Sequence, residues 1–455
     1  MQNAIAPYSP RNPRLSDYYR CVEDYYEELE RVYEERYQTR FGYLRTEIRS
    51  TIFRYLDCGC LQNGFARVKC NDCGHEYLVA FSCKRRHFCP SCHQKRVVEF
   101  GEWFLEDLAV TVPHRHIIFS IPKLIRRCFL FDRKLLAALS RIAWETLKEY
   151  TSTSLSAGGS LPGCACSIQT FGDFLGFNPH CHIIISDGTF DEDGNFRITP
   201  YYDAHALEQL FRHKLLKMLL AKGAISQWHI DLLMSWQHSG FNVHICEQIT
   251  ADDRNALESL AHYIIRCQFS QERMSYLEQS GTVIYRSKDG HTTKSFSALD
   301  WLAHIISHIP RHGEQMVRYY GYYSNAARGK RRKYGMDDKT PEIAGQEQDT
   351  GYRKKCRANW ARLIQKIYET DPLSCPHCKG TMRILAFIEE EVVIRKILDH
   401  LGLWDVPKRQ PKQGRGPPVE PALSVVEGID VEPQLVYADS QVIEYEEAYY
   451  EPEYL

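Results

Sequence analysis

Asn178-Pro-His180-Cys-His182-Ile-Ile-Ile185 is the stretch on which the fold of this chain turns. His180 to Ile185 reads as a β-strand, and strand alternation puts His180 and His182 on one face with Cys181 on the other. Two imidazoles at that spacing can hold one divalent cation and leave positions open for phosphate oxygens. His-x-His on an apolar strand is also a common core pair. A second copy, His114-Arg-His116, has a charged middle residue and is assigned no metal.

Outward from that strand, His116-Ile-Ile-Phe-Ser-Ile121, Ser167-Ile-Gln-Thr170 and Asn242-Val-His-Ile-Cys246 read as further strands. The segments near 133–149, 204–221 and 251–267 read as helices. Strands and helices without a strict βαβ rhythm favour an α+β sheet domain. Val283 to Ser295 has the pattern of a hairpin turning at Asp289-Gly290, followed by a helix with Ser297 and Asp300 as a capping pair. In the helix expected over Thr250 to Cys267, Thr250 is placed at the N-cap with Asp253 at N3. Leu257, Leu260, Ala261 and Ile264 form its apolar stripe. Tyr263 lies at the stripe's edge, with Arg266 close behind. A tyrosine there is usually core; beside a bound cation and an arginine, its phenol can attack a phosphodiester.

Upstream, Cys70-x-x-Cys73 and Cys89-x-x-Cys92 carry the spacing of a zinc ribbon, and these four thiolates are expected to share one tetrahedral site. Four thiolates leave no open position, so that zinc is structural. Cys58, Cys60, Cys83 and His87 are candidates for a second site, and Cys375-Pro-His-Cys378 for a further one. Lys84, Arg85, Arg86, Lys95 and Arg96 in and beside the ribbon suit contact with a DNA backbone, as does the later run Arg328-Gly-Lys330-Arg331-Arg332-Lys333.

Charge supports that partner once the chain is divided. The formal net charge of −1 conceals an end segment, beyond Arg415, with ten acids and no Lys or Arg. The remainder carries 57 basic against 48 acidic side chains. Seventeen cysteines in a long chain, grouped as C-x-x-C pairs, indicate metal ligation rather than disulfides. No apolar run is long enough to span a membrane, and Met1 to Ser16 is polar, unlike a secretion signal. A cytoplasmic, nucleoid-associated bacterial protein is expected.

In the order and number of its sequence blocks, the chain resembles the rolling-circle HUH transposases of the "IS ninety-one" type of insertion sequence. The blocks are Gly64-Phe-Ala-Arg-Val-Lys-Cys70, Ala80-Phe-Ser-Cys-Lys84, Phe88-Cys-Pro-Ser-Cys92, Gln169-Thr-Phe-Gly172, Asn178-Pro-His-Cys-His182, Tyr263-Ile-Ile-Arg266, Arg318-Tyr-Tyr-Gly321 and Cys375-Pro-His-Cys378. The resemblance implies an N-terminal zinc domain, an HUH nuclease domain, and transposition through single-stranded DNA. His180 and His182 fall on the family's metal ligands, with Mg²⁺ or Mn²⁺ as the ion, and Tyr263 falls on its nucleophile. Cys181 replaces the hydrophobe usual between the histidines. Where many members have a second tyrosine, this chain has Ser259. Tyr319 and Tyr323 form another Y-x-x-x-Y pair, which can supply a nucleophile or stack on bases.

The expected organisation is N-terminal helices (1–56), a zinc domain (57–105), an HUH-type antiparallel-sheet nuclease domain (106–335), a linker (336–355), a C-terminal C-x-x-C module (356–404) and an acidic tail (405–455). The expected partners are single-stranded element ends and target DNA, with a homodimer as the candidate assembly. The rival functions are a plasmid replication initiator or relaxase, and a non-catalytic zinc-ribbon regulator.

Overall fold

A computed structural model describes residues 13–155, 160–191, 194–199, 201–236, 238–334 and 375–404. The chain starts with helices α1 (Asp17–Arg36), α2 (Gln38–Phe41) and α3 (Thr46–Leu56), then a hairpin of β1 (Phe65–Cys70) and β2 (Glu76–Ala80), then α4 (Pro90–Trp103). Next come β3 (His114–Ser120), α5 (Lys123–Phe131), α6 (Lys134–Leu155), β4 (Gly163–Phe171) and β5 (Phe177–Ser186). A short hairpin, β6 (Gly188–Phe190) and β7 (Phe196–Ile198), leads to α7 (Ala204–Ala221), α8 (Gln227–Ser235), β8 (Asn242–Ile249) and α9 (Arg254–Ile264). The meander β9 (Met274–Leu277), β10 (Thr282–Arg286) and β11 (Thr293–Ser297) runs into α10 (Ala298–Ser307). Then follow β12 (Val317–Gly321), α11 (Asn325–Lys333), β13 (Met382–Ile388) and α12 (Glu391–His400). The α+β class and every strand and helix expected around the His-x-His segment are present.

The central sheet has the order β12-β4-β5-β3-β8 and is antiparallel throughout. The strand bearing the two histidines is therefore the middle one. Alternation sends Cys181, Ile183 and Ile185 into a core shared with α6 and α7. The opposite face carries Ile184 into a second core with Ala261 and Ile264 of α9 and Phe100 of α4. Placed between helices on both faces, β5 is buried from His180 to its end. That double burial explains its apolar run.

Two domain expectations are corrected. The segment 375–404 is not a separate module, because β13 adds to the N-terminal hairpin in the sheet β13-β1-β2, with Phe65 opposite Ile388 and Cys70 opposite Met382. The N-terminal helices do not stand apart either. Tyr18 and Tyr26 of α1 share a core with Trp301 of α10, Phe269, and Cys58, Cys89 and Cys92. Aromatic side chains this large gain most of their stabilisation by burial, so a lone α1–α3 unit would leave that surface exposed. The expected linker and acidic tail lie outside the described residues.

Candidate active site and metal centres

Both β5 histidines are buried, and burial holds their imidazoles neutral. His180 donates from Nδ1 to the Asn178 carbonyl at 2.7 Å, which leaves a lone pair on Nε2. His182 uses Nδ1 to meet His116 Nε2 at 2.9 Å, so its own Nε2 faces that of His180 at 3.0 Å. Burial pushes the His180 imidazole down to about 4 and holds His182 well below the usual histidine range, with neighbouring His180 and His116 adding to the second shift. His116, on β3, touches Cys246 through Nδ1 at 3.4 Å. The charged neighbour Arg115 spoke against His116 as a ligand. His116 enters instead through its ring contact with His182, which fixes the orientation of that imidazole.

Helix α9 begins later than expected. Asp253, not Thr250, is the N-cap, and its carboxylate accepts from the Ala256 N–H at 2.9 Å. A carboxylate is at least as good a cap as a threonine hydroxyl, and Asp253 lies directly ahead of the first apolar residues. The stripe itself is as read, with Leu257, Ala261 and Ile264 buried and Leu260 partly so. It turns Tyr263 toward the histidines. The Tyr263 ring stands edge-on to His182 at 5.4 Å between centroids and to His116 at 6.0 Å. The Arg266 guanidinium lies over the Tyr263 ring at 4.6 Å. The four residues singled out in two distant segments thus meet. Tyr323 does not join them: it is fully buried, with its hydroxyl 2.7 Å from His114 Nε2 and accepting from Val110 N–H. Tyr319 packs against Trp103, centroids 5.3 Å apart.

One residue was not singled out. Gln169 of β4 stands opposite His180 in register. Its Nε2 donates to the Ile264 carbonyl at 2.9 Å, and its buried Oε1 has no hydrogen-bond partner. Only the strand register brings it there, and register is not readable from one strand's composition.

The cysteines group differently from expectation. Cys58, Cys83, Cys89 and Cys92 form one quartet; Cys70, Cys73, Cys375 and Cys378 form another. The expected set Cys70, Cys73, Cys89 and Cys92 is therefore split, because β1 and β2 carry the first pair away to β13. Sulfur separations are 3.5 to 4.0 Å in the first quartet and 3.5 Å for Cys70–Cys378 and Cys73–Cys375 in the second. A tetrahedral zinc with sulfurs at about 2.3 Å needs edges of about 3.8 Å, so both quartets fit that ion. The N–H groups of Asp72 and Arg85 donate to Cys70 and Cys83 at 3.4 Å, which favours the thiolates. Hydrogen bonding with Cys83 and Cys89 pulls the Cys58 thiol down to about 7. Cys60 and His87, candidates for the second site, are not ligands: Cys60 contacts Gln62 and Arg14, and His87 packs on His93.

The first quartet is fastened to the tyrosine helix. His93, adjacent to Cys92, meets the Ile265 carbonyl at 2.6 Å through Nε2, and Gln268 donates to the His87 carbonyl at 3.2 Å. Where α4 passes α9, Gly101 lies so close to His262 that a Cβ would come within 2.3 Å of its ring nitrogen. A larger residue there would displace the His262 ring.

Comparisons with known proteins identify two stretches of the chain. A family model described as "Transposase zinc-binding domain" matches residues 29–121, and one described as "Putative transposase" matches residues 163–331. The chain belongs to the IS91-type transposase family. A relative from Pseudomonas savastanoi pv. phaseolicola, "Transposase for insertion sequence element IS801", is 25% identical over 63% of this chain and 73% of its own. Another from Sinorhizobium fredii, "Putative transposase y4qJ", is 23% identical over 65% of this chain and 79% of its own. No solved structure matches. Neither family match reaches Cys375 or Cys378 of the transposase, the ligand pair that β13 brings in. No helix among the described residues is long and apolar enough to cross a membrane.

The basic residues expected to meet DNA differ in their exposure. Lys84 and Arg86 are exposed and Arg85 partly so; α11 exposes Lys330 and Arg332, while Arg331 stacks on Tyr322 at 3.7 Å. Buried histidines make the fold acid-labile. His304 Nδ1 and His308 Nε2 meet the Leu175 carbonyl at 3.1 and 3.0 Å, pinning the β4–β5 turn in which Phe174 and Leu175 take positive φ. Burial pushes His304 to about 4, His308 to about 3 and His114 to about 4. Below about pH 6.5 the unfolded chain takes up protons that these folded sites refuse, so stability falls as pH drops toward 4. At pH 5.5 each site should cost about 1 kcal/mol relative to neutrality. Urea unfolding at pH 7.5 and 5.5 checks this; equal midpoints would contradict it.

Proposed function

We propose that this transposase nicks and rejoins single-stranded DNA through a 5′-phosphotyrosyl intermediate in rolling-circle-type transposition. The observation that carries the reading is the meeting of Tyr263 and Arg266 with the His180–His182 pair on the middle strand of an antiparallel sheet, an HUH-type arrangement. His180 and His182 would hold a divalent ion through Nε2, with Gln169 Oε1 as the third, oxygen ligand that the sequence left unnamed. With an oxygen from Gln169 beside two imidazole nitrogens, the set would suit a divalent ion such as Mg²⁺ or Mn²⁺ that keeps further positions for phosphate oxygens. When bound, such an ion polarises the scissile phosphate and stabilises charge on its oxygens.

The chain's own groups supply the rest. The Tyr263 oxygen bonds to phosphorus and gives up its proton as the phosphorus–O3′ bond breaks. The departing 3′ oxygen takes up a proton and becomes a free hydroxyl. Arg266 balances the phosphate charge beside the phenol. Keeping the bond energy in the phosphotyrosine allows rejoining without ATP. The two cysteine quartets would each hold a structural zinc ion, and the basic residues Lys84, Arg85, Arg86, Lys330, Arg331 and Arg332 would contact DNA backbone.

The test is an end-labelled single-stranded oligonucleotide carrying an element end, incubated with the protein and Mg²⁺ or Mn²⁺. A labelled band at the mass of a protein–DNA adduct is expected, dependent on the ion and lost in His182→Ala. No adduct with either ion would favour a zinc-ribbon regulator, and adduct formation on a plasmid origin alone would favour a replication initiator.

A further inference from the structure

A cleft of about 460 Å³ opens beside the candidate active site, walled by the zinc module, β4, the end of α9 and the edge strand β12. Four arginines line it: Arg86 and Arg96 from the zinc module, Arg266 behind the tyrosine, and Arg318 on β12. Arg266 and Arg318 each bury an Nε with no hydrogen-bond partner, and no ion pair involves either among the described residues. Arg96 sits beside Arg86, and burial together with that like charge lowers its guanidinium. Arg86 already pairs with Glu99 at 3.8 Å, but Arg266 and Arg318 remain costly to bury unless an anion joins them. The acid in the wall, Glu314, already has its Oε2 occupied by Arg133 at 2.9 Å and the Arg311 N–H at 2.7 Å.

Aromatic rings and orphan acceptors complete the wall. Phe171 and Tyr319 line the cleft, and the Arg266 guanidinium lies 5.9 Å from the Phe171 ring while also covering Tyr263. Gln169 Oε1 and Glu314 Oε1 are buried without partners. Phosphate-seeking arginines, flat rings and unpaired acceptors together match a nucleotide: the arginines take the phosphate, a ring takes the base face, and an acceptor takes a base N–H. The volume lies within the range for a site holding a small ligand. A base still paired in duplex DNA could not enter.

We infer that this cleft holds one unpaired nucleotide of the single-stranded substrate, close to the bond that Tyr263 attacks, and that the zinc module forms part of its wall. The inference rests on the single-strand nuclease reading for its substrate, but not on any chemistry. Gln169 and Arg266 belong to both places, so seating this nucleotide fixes the register of the strand at the active site.

The test is equilibrium binding of a fluorescent single strand of about 12 nucleotides to full-length, zinc-replete Tyr263→Phe protein without added Mg²⁺ or Mn²⁺. Arg318→Ala and Tyr319→Ala should each weaken single-strand binding about tenfold, with duplex affinity changed less than about twofold. Tyr319→Phe should restore it, since the ring is what stacks. An abasic site walked along the strand should reveal one position whose loss costs about tenfold in the parent and almost nothing in Tyr319→Ala. Equal losses on single strand and duplex, or an abasic profile unchanged by Tyr319→Ala, would reduce the cleft to a general phosphate patch and overturn the inference. Should Tyr319→Ala melt at a lower temperature than its parent, Arg318→Gln carries the comparison of single strand with duplex, and Tyr319→Leu carries the abasic comparison. Binding is scored without cleavage, so absence of adduct in the wild type would sink the reaction while leaving the cleft result standing.

Discussion

Tyr263→Phe protein should fold, bind single-stranded DNA as tightly as wild type and form no covalent adduct. The ring, its contact with His182 and its stacking under Arg266 survive the change, so neither packing nor the strand's path is altered. What disappears is the attacking oxygen, and loss of a nucleophile is typically worth a thousandfold or more in rate. Ser259, one turn earlier on α9, is too short to substitute. Tyr323 is an unsuitable replacement because its hydroxyl is buried against His114. Burial pushes the Tyr319 phenol up to about 12, which disfavours the phenolate. The readout is the labelled adduct on a denaturing gel. Adduct retained in Tyr263→Phe and lost in Tyr319→Phe or Tyr323→Phe would move the nucleophile to β12 and its following turn. With one nucleophile per chain, two phosphotyrosyl ends cannot coexist in one site. The second transfer then uses the freed 3′ hydroxyl or a second subunit. Mixing Tyr263→Phe with His182→Ala protein separates these, since restored cleavage requires the tyrosine and the histidines to come from different chains.

Local chemistry was legible in the sequence and long-range partnership was not. Alternation correctly put His180 and His182 on one face because a strand's period is fixed by its backbone. The 3.6-residue stripe of α9 correctly left Tyr263 at its border. Neither rule states which strand lies beside β5, so Gln169, which heads one of the family-like blocks, gains a role only from the register that sets it opposite His180. The cysteines show the same limit. A C-x-x-C pair announces half of a zinc site, but its other half is chosen by the fold. Proximity in sequence suggested joining Cys70–Cys73 to Cys89–Cys92, whereas β-pairing with β13 joins it to Cys375–Cys378. Cys58 and Cys83, expected in a second site with Cys60 and His87, instead complete the quartet of Cys89 and Cys92.

The two quartets should separate experimentally into one that serves the active site and one that closes the chain. Purified protein is expected to hold two zinc ions, with Cys89→Ser and Cys375→Ser each losing one. In Cys375→Ser the loss opens a ring, because Cys73 and Cys375 are 302 positions apart. The ion's binding is folding energy here, and without it the β1–β13 pairing alone has to hold that long loop closed. Release of β13 would expose Met382 and uncover the edge of β1, so the thermal midpoint should drop and a protease should cut near 375–404. Adduct formation should persist, since that quartet touches neither the histidines nor α9. Cys89→Ser should behave in the opposite way. Its quartet sits in the core formed by α1, α3 and α10, and His93 links its knuckle to the Ile265 carbonyl at the end of the tyrosine helix. Loss of that ion should loosen α9 as well as the core, removing adduct formation together with much of the stability. Zinc content by mass spectrometry, thermal melting and the adduct gel read the three effects. If Cys375→Ser keeps two zinc ions, or if both variants lose activity and metal alike, the quartets do not act as separate sites and the division drawn from the sulfur positions is wrong.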